Sequence, residues 1–185
     1  MLRLTRTTSE NPDFRTLVAL LDQDLAIRDG ADHGFYAQFN KIDKINHVVV
    51  AYHGDEPVGC GAFKEYDSEA VEVKRMYVLP AQRGQGVAGQ VLAELERWAQ
   101  ELEYAACVLE TGKKQPEAIR LYEKSGYALI PNYGQYVGIE NSVCMSKNVR
   151  FNSLAVTLLN EGCPLREPWC ILRKSRCTKP APPRP

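Results

Sequence analysis

Apolar and polar residues alternate in several segments of the first half of the chain, as they do in strands with one buried face. Leu2 to Thr7 predicts a short strand, and Asn11-Pro12 begins a predicted helix that Gly30 ends. A second short helix is expected around Phe35 to Phe39. Three strand-like runs separated by turn residues, the first of them β-branched, predict a meander of antiparallel strands: His47 to Tyr52, Val58 to Lys64 and Ala70 to Leu79.

The period of the pattern changes in the second half of the chain. Apolar residues from Val87 to Leu102 recur at helical spacing, and charged residues occupy the opposite face. Ala105 to Leu109 is continuously apolar, as buried strands are. A helix is predicted from Pro116 to Ser125, with proline at its start and Gly126 past its end. Two last strands are predicted to close the sheet, Tyr127 to Ile130 and Ser142 to Lys147.

The predicted sheet is complete near Lys147, so we expect one domain over residues 1–147 and an appended segment over residues 148–185. A chain of 185 residues suits one ordinary domain better than two. The appended segment carries seven basic residues against two acidic ones. Phe151 to Leu159 predicts an amphipathic helix within it, and Pro180 to Pro185 is expected to be disordered.

Composition narrows the class of protein. Lys plus Arg and Asp plus Glu are equal at 23 each, so nothing calls for nucleic acid or a membrane as partner. The N-terminus lacks the apolar run of a signal peptide, and we expect a cytoplasmic protein. Its assembly is left open, with a homodimer as one possibility.

The six cysteines fall into two groups. Cys60, Cys107 and Cys144 lie in apolar strand-like runs and are expected to be small buried side chains. The other three, Cys163, Cys170 and Cys177, are seven residues apart. A zinc site would need closer pairs of ligands, so we expect no metal.

One segment carries most of the chemical information, because a predicted strand feeds a glycine-rich turn that begins a long helix. The turn reads Arg83-Gly84-Gln85-Gly86-Val87-Ala88-Gly89. Free N–H groups and the positive dipole end at a helix N-terminus favour a phosphate, and small residues let the backbone approach it. Arg83 adds a positive charge. The predicted ligand is a phosphate or pyrophosphate.

The same glycines also fit another hypothesis. Gly84 to Gly89 matches Gly-x-Gly-x-x-Gly, the dinucleotide-binding pattern, and Glu110 follows about twenty residues later at a strand end. Against this, Pro80 to Arg83 separate the strand from the first glycine. The preceding strands form a meander, and the chain lacks room for a separate substrate domain. A glycine-rich loop without a ligand is the remaining alternative.

Two motifs give a family resemblance. Arg83 to Ala88 fits the Arg/Gln-x-x-Gly-x-Gly/Ala pyrophosphate motif of the GNAT superfamily of N-acetyltransferases, and Ala118 to Tyr127 is similar to its Leu-Tyr-Glu-Lys-x-Gly-Phe helix end. Residues 1–147 therefore resemble that superfamily. The resemblance implies an α+β (α/β) fold, with a mixed, mostly antiparallel central sheet flanked by helices and a C-terminal extension. It also implies acetyl-CoA as cosubstrate and attack of an amine on its thioester while both substrates are bound.

The resemblance also implies roles for single residues. Deprotonating an alkylammonium at pH 7 costs about 4–5 kcal/mol, so the reaction needs a base. The resemblance makes Glu72 the candidate for that base. Tyr122 is the candidate acid for the departing thiolate. Val78 would offer a strand amide to the thioester oxygen, as in an oxyanion hole, and Met76 would lie along the pantetheine arm. The other predicted cofactor residues are Arg83, Gly84, Gln85, Gly86, Val87, Ala88, Gly89 and Gln115, the last standing where many relatives have Asn.

Each of these roles has a purely structural alternative. The sequence also says less about the acceptor than about the cofactor. Glu72 could be an ordinary edge glutamate, and Tyr122 could simply pack the helix on the core. Residues 10–33 carry six acidic residues against two arginines, which would suit a cationic amine or form a solvated helix face. Arg75 could instead hold a substrate carboxylate. Candidate lining residues are Tyr133, Gly134, Gln135, Tyr136 and Asn141.

The sequence thus predicts an acetyltransferase for a small-molecule amine or amino acid. A non-catalytic acetyl-CoA-binding module is the alternative.

Overall fold

The structure is a computed structural model that describes residues 1–30, 34, 36, 38, 42 and 45–150. The helix predicted around Phe35 to Phe39 lies largely outside these residues, and the segment from Phe151 to Pro185 lies wholly outside them.

The other predicted helices and strands are found in the predicted order, with ends that differ by a few residues at most. Within the described residues, the α-helices are α1 Pro12–Asp29, α2 Val87–Glu101 and α3 Pro116–Lys124, and Pro80–Gln82 and Gly134–Tyr136 are short 3-10 helices. The strands are β1 Leu2–Thr7, β2 His47–His53, β3 Glu56–Glu65, β4 Ala70–Val78, β5 Ala106–Gly112, β6 Ala128–Ile130 and β7 Ser142–Asn148.

Helix α1 shows why the local signals were informative. The Asn11 side chain accepts a hydrogen bond of 3.0 Å from the Phe14 N–H, which satisfies one donor at the helix start. Pro12 fills a first-turn position, where its missing N–H has no helical acceptor to lose. Gly30 ends the helix with a φ of +58°, a conformation that glycine adopts at low cost.

The described strands form a mixed sheet in the order β1-β2-β3-β4-β5-β7-β6. Neighbouring strands are antiparallel except β4 and β5, which are parallel. This confirms the mixed, mostly antiparallel sheet that the sequence predicted.

Helices α1 and α2 cover different faces of the sheet. Phe14 of α1 packs with Val48 and Val50 of β2, whereas Leu95 of α2 packs with Val49. Successive residues of β2 therefore belong to different cores, because side chains alternate between the two faces of a strand. Since both faces are covered, β2 is apolar without interruption from Val48 to Tyr52.

Cys60, Cys107 and Cys144 are buried as expected, and burial raises the pKa of the Cys60 thiol to about 12.

A β-bulge interrupts β4 at Arg75. Arg75 has a φ of +59°, and the register between β3 and β4 shifts beside it. A bulge bends its strand and increases the local twist. The parallel pairing of β4 with β5 also stops here, since Val73 opposite Leu109 is its last pair. Beyond that pair each strand keeps only its other neighbour.

The core extends slightly past the expected domain boundary at Lys147. Val149 is only 8% exposed, and its N–H donates to the Ala105 carbonyl at 2.8 Å. None of the helices in the described part of the chain is long and apolar enough to cross a bilayer.

Candidate active site

The end of the β4–β5 pairing forms a cavity of about 540 Å³. Its walls come from α1, the C-terminal parts of β4 and β5, the glycine-rich turn, and α3. They include eleven residues that the sequence predicted for the site: Glu72, Met76, Val78, Arg83, Gly84, Gly86, Val87, Ala88, Gly89, Gln115 and Tyr122. Gln85 does not line the cavity, and its side-chain amide donates to the Ala81 carbonyl at 3.4 Å.

The glycine-rich turn has the conformation that an anion cradle needs. Gly84 and Gly86 have φ values of +78° and +79°, and a Cβ at either position would meet nothing within 4 Å. Gly86 is the N-cap of α2, and no side chain caps that end. The first N–H groups of α2 therefore have no helical acceptor and border the cavity.

Arg83 lies against this turn, and its charge is partly engaged. Its Nε donates to the Val78 carbonyl at 3.1 Å, and its Nη2 lies 3.3 Å from the Asp24 carboxylate. The side chain is 40% exposed, so water screens the ion pair with Asp24 and an anion can compete for the guanidinium.

The backbone of β4 presents the Val78 N–H to the cavity. The next residue, Leu79, donates its N–H to the Val58 carbonyl on β3 at 3.0 Å. Because successive N–H groups of a strand point to opposite edges, the Val78 N–H points to the edge that has lost β5. This is the amide that the family resemblance implied for the thioester oxygen.

Glu110 is a further candidate residue that the sequence analysis did not predict for an acetyl-CoA site. It was considered only as the acidic residue of a dinucleotide site, yet it lines the cavity near the end of β5. Burial raises the pKa of its carboxyl to about 7, and the charges of Glu72 and Asp29 contribute to the rise. Its Oε1 is buried without a hydrogen-bond partner among the described residues. A single acidic residue directly after an apolar run was the available signal.

Tyr122 borders the same cavity from α3 and is 6% exposed. Burial, and then the charge of Glu110, raise the pKa of its hydroxyl above the ordinary value. The hydroxyl therefore stays protonated at neutral pH and can act as a donor. Its ring also meets that of Tyr127 edge to face at 5.7 Å, so Tyr122 has the packing role that was its alternative interpretation.

Glu72, the base predicted from the sequence, also lines the cavity but already has several partners. The Nζ atoms of Lys74 and Lys64 lie 3.2 Å and 3.4 Å from its Oε2. The Tyr133 hydroxyl donates to its Oε1 at 3.4 Å. Its side chain is 4% exposed, so these contacts are largely shielded from water.

Most of the acidic residues predicted as an acceptor wall bond to neighbouring side chains. Their partners are Arg15 for Glu10, Tyr52 for Asp13, Arg75 for Asp22, and Arg28 with Arg83 for Asp24. Arg75, predicted as a possible carboxylate ligand, lies 2.6 Å from Asp22 with a side chain only 2% exposed. Asp24 and Asp29 line the cavity, and so does Tyr136 of the predicted lining residues.

The chain matches the model of the acetyltransferase (GNAT) family over residues 11–127 and belongs to that family. This confirms the resemblance seen in the two motifs, and the chain is accordingly an acetyltransferase. It is 37% identical over 101 residues to YsnE, an uncharacterized N-acetyltransferase of Bacillus subtilis (strain 168), a match that spans 54% of this chain and 67% of that protein. Over 101 residues it is 38% identical to an IAA acetyltransferase of Azospirillum brasilense, spanning 54% of this chain and 65% of the relative.

The fold is likewise confirmed by a solved structure. A protein of Klebsiella pneumoniae subsp. pneumoniae, proposed to be an acyl-CoA N-acyltransferase, superposes on this chain with a TM-score of 0.68 at 27% identity. The superposition covers 80% of this chain and 98% of that one.

Proposed function

We propose that this enzyme transfers the acetyl group of acetyl-CoA to a primary amine of a small molecule or amino acid while both substrates are bound. The observation that carries the proposal is the β4–β5 cavity. Its walls combine an anion cradle, an unpaired strand edge, and the side chains of the half-buried Glu110 and the buried Tyr122.

The cavity suits the chemistry of coenzyme A. The N-terminus of α2 can hold the pyrophosphate, and Arg120 and Lys124 line the cavity from α3 as exposed cations that can reach phosphates. The edge of β4 beyond Val73 has N–H and C=O groups that no longer bond to β5. The amides of a pantetheine arm can satisfy them.

Acetyl-CoA supplies an acyl group activated as a thioester, and the amine must lose a proton to attack it. We assign the base to Glu110 in preference to Glu72. A carboxyl with a pKa of about 7 and an oxygen without a hydrogen-bond partner can accept that proton at neutral pH. Glu72 is instead held by two lysines and a tyrosine.

Two further groups are proposed to stabilise the negative charge that develops on the thioester oxygen and on the departing sulfur. The Val78 N–H is proposed to donate to the thioester oxygen as negative charge develops on it. The Tyr122 hydroxyl is proposed to protonate the departing sulfur. These roles do not require a metal ion.

The proposal is tested by incubating purified protein with acetyl-CoA and a panel of primary amines while the released thiol is measured. Thiol release that depends on the amine is the expected result. If acetyl-CoA raises the melting temperature but no amine produces thiol, the protein is a non-catalytic acetyl-CoA binder. If NADH stabilises the protein and acetyl-CoA does not, the dinucleotide hypothesis is correct.

A further inference from the structure

We infer that the acceptor is a cationic alkyl- or aralkylamine without a carboxylate, and not an α-amino acid. The inference rests on the proposed acetyl transfer and narrows its acceptor. It follows from the charges and rings that surround Glu110.

Carboxylates reach the cavity from three different elements. Of the five carboxylates that line it, these are Asp29 at the end of α1, Glu72 on β4 and Glu110 on β5; the other two, Asp24 and Glu117, bond to Arg28. Asp29 and Glu72 are 7% and 3% exposed. An ammonium placed beside them is stabilised, whereas a substrate carboxylate adds one more negative charge where water screens it poorly.

The ionisation of Glu110 is coupled to several neighbouring groups. Burial raises the pKa of its carboxyl most, a hydrogen bond with Ser142 and the charge of Lys74 lower it, and the charges of Glu72 and Asp29 raise it further. An ammonium bound here would favour the ionised form of Glu110, which is the form that accepts a proton.

Three of the cations in the cavity wall are already bonded to carboxylates of the protein. Lys74 lies 3.2 Å from Glu72, and its side chain is 9% exposed. The buried guanidinium of Arg75 lies 2.6 Å from Asp22. Arg28, also in the cavity wall, bonds to both Asp24 and Glu117. An amino-acid carboxylate would have to displace one of these partners, because removing a buried charge from its partner is costly.

Aromatic rings complete the surroundings of the carboxylates. Tyr136 is 3% exposed, lines the cavity, and meets Tyr133 edge to face at 5.8 Å. The Tyr133 hydroxyl lies 3.4 Å from Glu72, which brings this pair of rings beside the acidic groups. Tyr36 also lines the cavity, and its hydroxyl lies 3.3 Å from that of Ser142. Rings attract ammonium groups through their faces and cover the alkyl or aryl part of an amine.

The test uses matched acceptors that differ only in the group on one carbon, which is hydrogen, a carboxamide or a carboxylate. One set is cadaverine, L-lysinamide and L-lysine, and the other is tyramine, L-tyrosinamide and L-tyrosine. We expect at least one set to give a kcat/KM for the amine and the amide roughly tenfold or more above that of the acid, since tenfold corresponds to about 1.4 kcal/mol. If kcat/KM for the amides is as low as for the acids, the size of the substituent and not its charge determines the preference. If kcat/KM for the acids is as high as for the amines, the charge of the carboxylate has no effect. Either result overturns the inference.

A binding measurement separates this inference from the proposed function. If no acceptor produces thiol, the proposed catalytic function is wrong. The effect of each acceptor on the melting temperature of the protein in the presence of CoA then tests the acceptor site alone. Cadaverine or tyramine should raise it more than lysine or tyrosine does. An equal shift, a reversed shift or no shift overturns the inference.

Discussion

The guanidinium of Arg75 lies 2.6 Å from the carboxylate of Asp22, and this pair fastens the β4 bulge to α1. The left-handed φ of +59° at Arg75 is unfavourable for a residue with a Cβ, so surrounding contacts must hold it. The bulge follows the last β4–β5 pair by two residues. The ion pair therefore stabilises the segment at which the cavity opens.

Replacing Asp22 by asparagine should lower the free energy of unfolding by about 1–2 kcal/mol. Loss of a partner from a fully buried ion pair costs about 3–5 kcal/mol, but Asp22 is 47% exposed and water screens part of the effect. Urea unfolding measures the change. Asp55→Asn, in the exposed turn between β2 and β3, is the control and should leave the midpoint unchanged. Equal midpoints for both variants would show that the pair has no stabilising role.

Glu110→Gln should lower kcat by roughly a hundredfold to ten-thousandfold, the usual range for loss of a general base. The rate of the parent enzyme should fall below pH 7, because the carboxyl with a pKa of about 7 becomes protonated and cannot accept a proton. The variant should lose this acidic limb and keep its affinity for acetyl-CoA. Glu72→Gln should retain the limb, and its disappearance in that variant would return the base role to Glu72.

The same substitution predicts a change in stability with a definite sign. The pKa of Glu110 rises from 4.5 to about 7 on folding, so the folded state binds more protons between those values and the parent loses stability as pH rises through them. This rise in the pKa corresponds to about 3 kcal/mol. Glu110→Gln should therefore be more stable than the parent at pH 8 by up to that amount, with a smaller difference at pH 5. A variant less stable at pH 8 would contradict the burial of this carboxyl.

Tyr122→Phe should reduce kcat by roughly a hundredfold while acetyl-CoA binds as before, because the variant loses only the hydroxyl that we propose protonates the leaving thiolate. Tyr127→Phe is a matched control, since the two rings meet edge to face at 5.7 Å but Tyr127 does not line the cavity. Steady-state rates and acetyl-CoA titration distinguish the two effects. An unchanged kcat in Tyr122→Phe would leave this residue only its packing role.

Gly89→Ala should have opposite effects on the stability of the protein and on its affinity for acetyl-CoA. Gly89 lies in the first turn of α2 without a positive φ, and an added Cβ would meet nothing within 4 Å. The methyl group should stabilise the free protein by up to about 1 kcal/mol through helix propensity. It should also weaken acetyl-CoA binding, because Gly89 lines the cavity beside the cradle. Unchanged binding in a stabilised variant would show that the phosphates do not approach this residue.

Local sequence signals were sufficient for the described helices and strands and for the glycine-rich turn. Asn11, Pro12 and Gly30 set the ends of α1 through caps and backbone conformation, which depend on neighbouring residues only. The turn from Gly84 to Gly86 was likewise predictable, because two glycines before an amphipathic helix favour positive φ values and an open N-terminus.

The chemical roles were harder to predict because they depend on residues that the sheet brings together. The candidacy of Glu110 rests on burial and on charges from Glu72 and Asp29, which belong to other elements. Lys64 reaches Glu72 only because β3 and β4 pair these residues directly. The bulge at Arg75 gave no signal either, since its positive φ is not at a glycine.

The end of the domain can be tested by two truncations that differ by three residues. Val149 packs in the core, its N–H donates to Ala105, and its carbonyl accepts from the Gln100 side chain at 2.6 Å. A chain that ends at Arg150 should keep its stability and acetyl-CoA binding, whereas one that ends at Lys147 should lose about 2–4 kcal/mol, as after deletion of a buried aliphatic side chain. Thermal unfolding of both chains measures this. Equal stability of the two chains would show that Val149 does not contribute to the core. Loss of folded protein in the chain that ends at Arg150 would show that residues 151–185 are needed for folding.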